Sequence, residues 1–148
     1  MPILTQLDQD FKEAMKARDA FRLDAVKMLR SALKYREIEK MKPLDEAEVI
    51  DVLAREVKKL KDALEQFRAG GRADLSEKTE REIALIEGYL PKALTEDEIK
   101  AIVGDKIMFA GEVTTKDFGR IMKEVAVETK GRADGATVSR LVKEALGG

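Results

Sequence analysis

The sequence predicts an all-α, multihelical fold: an N-terminal four-helix bundle followed by a C-terminal three-helix bundle. Three observations carry this. Apolar residues recur at three- and four-residue steps through nearly the whole chain. Proline and glycine punctuate that pattern at Pro43, Gly70–Gly71, Pro91, Gly111 and Gly131. Strand signals are confined to IMFAGEVTT (residues 107–115), which is too short and isolated to build a sheet.

The first helix begins after Pro2, with Leu4, Leu7, Phe11 and Met15 as its apolar stripe. Asp19 is the candidate start of a second helix, whose stripe is Val26, Leu29, Leu33 and Ile38. Lys42-Pro43 ends it, because a residue before proline avoids helical dihedrals. Asp45 and Glu48 match a capping box opening a long third helix, with Val49, Leu53, Val57, Leu60, Leu64 and Phe67 as its core face. Asp74 and Glu77 form another possible box, opening a fourth helix through Ile83, Ile86 and Leu90 that Pro91 stops. Thr95 and Glu98 cap the fifth, which Gly111 terminates. Thr114 or Thr115 starts the sixth, facing inward through Phe118, Ile121, Met122 and Val125. The last helix buries Val138, Leu141, Val142 and Leu146. YLPKALT (residues 89–95) is the natural hinge, dividing the chain into domains 1–91 and 92–148.

Composition narrows the chemistry. The 148 residues include no histidine, cysteine or tryptophan. Ser–His–Asp and Cys–His catalysis, Cys/His zinc sites, disulfides and His- or Cys-ligated haem are therefore excluded. Ser31, Ser76 and Ser139 lack an identifiable base, and Lys27 and Lys58 sit on helix flanks where lysines normally reach for solvent. A carboxylate-only magnesium site stays open in principle, but there is no Asp-rich loop to build it. No catalytic residue, cofactor or metal is expected. The start, MPILTQLDQD, meets charge by Asp8 and reads as neither a secretory signal nor a membrane span, so a cytoplasmic location without a membrane partner is the expectation.

Formal net charge is −1, which argues against a generally basic nucleic-acid binder. The distribution is uneven. Residues 12–42 hold ten Lys or Arg against five Asp or Glu, whereas residues 43–90 hold eight against twelve. The second helical region is thus either an ordinary solvated face or a local attractor of polyanions, with Arg30 and Lys34 as candidate RNA contacts.

The tetrapeptide GRAD occurs twice, at 71–74 and 131–134. Neither copy has P-loop spacing or a strand feeding it. Both read as helix–helix corners: a glycine takes a left-handed conformation, and Asp74 or Asp134 caps the next helix. A corner needs no arginine. At the second copy Lys130 and Arg132 flank Gly131, and Lys143 follows on the next helix. That corner could hold a backbone phosphate, so Lys130, Arg132 and Lys143 join the candidate RNA contacts.

The runs YLPKALTEDEIKAIV, KDFGRIMKEV and KGRADGATVSRLVKEAL resemble the tail domain shared by the tRNA-dependent amidotransferase B subunit and the free-standing bacterial YqeY proteins. AMKARDAFRLDAVKMLRSALKYREIEK and FRAGGRADLSEKTEREIALIEGYLP resemble YqeY specifically, so the likeness covers essentially the whole chain. It implies a GatB/YqeY-like fold of four plus three helices. Pro91, Gly119, Gly131, Asp134 and Gly135 stand at motif positions expected to shape the tail. Ala136 stands where a basic residue is common in the family. The resemblance implies a bacterial, non-catalytic accessory protein that touches tRNA. A protein–protein adaptor docking on a synthetase or amidotransferase complex is the alternative, which an exposed apolar patch near the 89–95 hinge would favour. A family label of carbon–nitrogen ligase with glutamine as amido-N-donor would also attach, although the chain has no nucleotide site, glutaminase nucleophile or base.

Overall fold

The structure, a computed structural model, describes residues 1–147. Among the described residues it contains seven α-helices, one 3-10 turn and no strand. The chain divides into two compact units, Met1–Leu90 and Pro91–Gly148.

Unit 1 holds α1 (Ile3–Ala17), α2 (Ala20–Lys40), α3 (Glu46–Ala69) and α4 (Ala73–Glu87). A real break separates α1 from α2: Arg18 adopts φ 52°, and the Asp19 carboxylate accepts from the Arg22 N–H at 3.1 Å. The α3 capping box forms with both of its hydrogen bonds. Val49 and Leu53 of α3, Val26 and Leu29 of α2, and Ile86 of α4 are wholly buried in one core. The first stripe is shifted from the sequence expectation. Ile3, Leu7 and Ala14 are buried, whereas Leu4 and Met15 face outward. Ile38 also lies outside the core, 67% exposed, because α2 outlasts the face that packs on its neighbours.

Unit 2 holds α5 (Glu96–Ala110), α6 (Phe118–Thr129) and α7 (Gly135–Ala145), each packed on the other two. Thr95 and Glu98 close a capping box on α5, and Gly111 ends that helix at φ 81°. Thr114 caps the 3-10 turn Thr115–Asp117, which leads into α6. Ile99, Val103, Ile121, Val125, Val138, Leu141 and Val142 make the core. At about 25 cal/mol per Å² of apolar area, burying each such side chain contributes on the order of 1.5–3 kcal/mol, most of it offset by lost chain entropy.

Candidate functional site

The two GRAD corners share letters and differ in construction. At the first, Gly71 takes φ 70° and the next helix starts at Ala73, two residues earlier than a cap at Asp74 would place it. Asp74 therefore lies inside the first turn of α4 and does not cap it. Instead, the Arg72 guanidinium donates two hydrogen bonds to its carboxylate, each 3.3 Å. That ion pair holds the Asp74 carboxyl below its usual range and raises Arg72 above its own.

At the second, Gly131 takes φ 75° and α7 starts at Gly135. Asp134 caps it, accepting from the Thr137 N–H at 3.3 Å. The Arg132 backbone is pinned at both ends: its N–H donates to the Thr129 carbonyl at 2.9 Å, and its carbonyl accepts from the Leu94 N–H at 2.7 Å. Its half-buried side chain has neither a hydrogen bond nor an ion pair among the described residues. This is unusual in the molecule. Among the described residues, nine of its eleven arginines pair with a carboxylate or lie over an aromatic ring, and Arg18 and Arg132 do neither.

The other candidate contacts are differently placed. Arg30 stacks over Phe11, 4.4 Å from the ring centroid, and lies 3.8 Å from Asp8. Lys34 is 3.9 Å from Glu37. Arg22, Arg36 and Lys40 are likewise bridged, to Asp10 and Glu13, to Glu39 and to Glu48 respectively. The Lys40 pairing helps hold Glu48 down to about 2. Much of the basic excess of α2 is thus spent inside unit 1. Lys130 is exposed at the end of α6, but Lys143 sits over Phe118, at the start of that helix. Twelve residues of α6 separate the two levels, about 18 Å of axial rise. The structure therefore brings Lys130 and Arg132 together and sets Lys143 apart. Of the motif positions, Pro91 begins unit 2, Gly119 lies exposed in the first turn of α6, and Gly131, Asp134 and Gly135 form the α6–α7 corner.

Polar groups elsewhere are structural in character. Tyr89 donates to Asp10, which also accepts from Arg22 at 3.0 Å, tying α1, α2 and the end of α4 together. Burial first, then the Asp10 carboxylate, pushes the Tyr89 phenol up, so it stays a protonated donor. Sequence spacing held no signal for that contact, which spans 79 positions. A shallow groove on unit 2 is lined by Lys100, Val103, Gly104, Leu141, Glu144 and Ala145, with no nucleophile–base pair. Among the described residues no three acidic side chains gather as a metal site, and no helix is long and apolar enough to cross a membrane.

Fold and site together define an all-α, two-unit protein in which no catalytic constellation is assembled among the described residues. The chain matches the model of the family described as Yqey-like protein over residues 4–146, and it belongs to that family. Curated relatives carry the name "Altered inheritance of mitochondria protein 41, mitochondrial". That of Lachancea thermotolerans is 35% identical over 105 residues, 69% of this chain and 56% of the relative. That of Kluyveromyces lactis is 38% identical over 98 residues, 64% and 53% respectively. That of Pyrenophora tritici-repentis is 27% identical over 150 residues, 98% and 81%. The chain spans about half the length of most of the curated relatives it matches.

These relatives correct three sequence-based expectations. They are fungal, so the bacterial assignment does not stand, and all are mitochondrial by name, which overturns the cytoplasmic one. Composition could not register either point. Nor does any of these names refer to amide transfer, and the carbon–nitrogen ligase label is withdrawn with the other two.

Proposed function

We propose that this chain is a non-catalytic accessory module that binds RNA, with tRNA as the class of ligand, through the α6–α7 corner of unit 2. One observation carries the reading: Arg132 is held by its backbone at both ends while its guanidinium has no partner among the described residues. A pinned backbone lowers the ordering cost of a contact, and a planar guanidinium suits a phosphate. Exposed Lys130 lies two residues away, and the nearby Asp134 is occupied with its cap. Binding resting on so few phosphate contacts is weak and falls steeply with salt.

Fluorescence anisotropy with total tRNA at low salt tests this. Measurable binding by the unaltered chain, lost or strongly reduced in the Lys130→Glu/Arg132→Glu double variant, is the expected result. No binding by the unaltered chain would sink the proposal.

A protein-docking reading has its own support, though not at the hinge. Tyr89, Leu90 and Leu94 are partly buried, whereas Tyr35, Ile38 and Met41 are 70%, 67% and 91% exposed in a stripe at the end of α2. Ile38→Ser/Met41→Ser would abolish capture of a synthetase or amidotransferase complex on this reading and leave tRNA binding unchanged.

A further inference from the structure

The hydrogen bond from the Leu94 N–H to the Arg132 carbonyl joins positions far apart in sequence. It seats the segment that enters unit 2 directly against the α6–α7 corner. Lys92 lies two residues before Leu94, so its Cα is within about 7 Å of that of Leu94. Lys92 is exposed, and neither it nor Lys130 or Arg132 has an ion-pair partner among the described residues. Three uncompensated cations therefore come from two stretches of chain that only the fold unites. Three acids close to them in sequence are committed, Asp134 to the Thr137 N–H, Glu128 to Lys106 at 2.6 Å and Glu96 to Arg140, while Asp97, in the first turn of α5, is exposed.

We infer that Lys92 is a third member of the RNA-contacting site, completing with Lys130 and Arg132 a cradle for consecutive backbone phosphates. This rests on the RNA reading given above and deepens it, because it assigns the entry segment of unit 2 a ligand-contacting role. One cation on a phosphate adds affinity but little position. Contacts from two chain segments hold a polyanion at two points and so define a track across the corner.

The experiment is a salt titration of total tRNA binding by the full chain, comparing Lys92→Ala with the unaltered protein. Lys116→Ala serves as a control: Lys116 is exposed at the opposite end of α6, and its side chain is in no ion pair among the described residues. Circular dichroism melts check that each variant keeps its fold. The expected result is weaker binding by Lys92→Ala, with the slope of log K against log salt reduced by about 0.7 to 0.9, the value of one phosphate contact. Lys116→Ala keeps the original slope. Equal losses in both variants would mean a diffuse charge effect and overturn the cradle. So would an unchanged Lys92→Ala beside a weakened Lys130→Glu/Arg132→Glu, an outcome that leaves the RNA reading standing. If the unaltered chain binds no tRNA, both readings fall.

Discussion

Four identical letters build two corners with opposite economies of charge. At 71–74 the arginine closes on the aspartate of its own motif, and no residue of that corner offers charge to a partner. At 131–134 the aspartate turns to cap α7, the arginine is left over, and a backbone hydrogen bond from Leu94 holds its backbone still. The difference arises from where the following helix begins. Starting at Ala73 places Asp74 in the helix, beside Arg72; starting at Gly135 leaves Asp134 in the extended conformation of an N-cap. A two-residue shift decides whether the arginine is satisfied locally.

The largest perturbation asks whether each corner depends on its own core. Ile86→Ala in unit 1 and Ile121→Ala in unit 2 each remove a fully buried side chain, at a cost of about 2–5 kcal/mol. If the units melt separately, each variant lowers one calorimetric transition and spares the other. A single transition shifted equally by both would show that the corners share one cooperative fold.

Exchanging the arginines comes next. Arg132→Ala is expected to weaken tRNA binding roughly three- to tenfold at low salt, as loss of a phosphate contact does, with little change in melting temperature. Arg72→Ala leaves binding unchanged. Equal binding losses in anisotropy would erase the functional distinction between the copies.

Removing the cap reverses the pattern. Asp134→Ala costs about 1 kcal/mol of stability in unit 2, as measured by urea midpoint, while Asp134→Asn or Asp134→Ser recovers most of it. A midpoint shift that Asn and Ser fail to rescue would point away from capping.

Acidification gives the smallest effect. The Asp74 carboxyl is held below its ordinary 3.8 by the Arg72 hydrogen bonds, so its contribution is complete above that value and is lost as pH falls beneath it. The site is exposed and screened, so the contribution is slight. Asp74→Asn should flatten the acid limb of the melting curve slightly, whereas an Asp74→Asn profile parallel to that of the parent would remove Asp74 from the account.

Local chemistry wrote most of the helices legibly. Asp45 with Glu48, Thr95 with Glu98, and Gly111 act through contacts three residues or fewer away, which spacing displays directly. The Arg18 break was legible through Asp19 for the same reason. Leu4, Met15 and Ile38 were misjudged because helical periodicity marks an apolar face without stating how far a neighbour covers it. The basic character of α2 is likewise partly offset in space. Its charges sum correctly in sequence, but Asp8, Asp10, Glu13 and Glu48 approach it from other helices.

By itself, then, the sequence determined the helices, their caps and the absence of histidine and cysteine chemistry, since these depend on residue type and short-range geometry. Only the tertiary structure decided which cations remain uncompensated. It paired most arginines across helices, moved Lys143 away from Lys130 along α6, and laid the Lys92 segment against Arg132 through one backbone hydrogen bond. Electrostatic pairing acts over a few ångströms of space, whatever the distance along the chain, and so no reading of spacing could have set Lys92 beside Lys130 and Arg132.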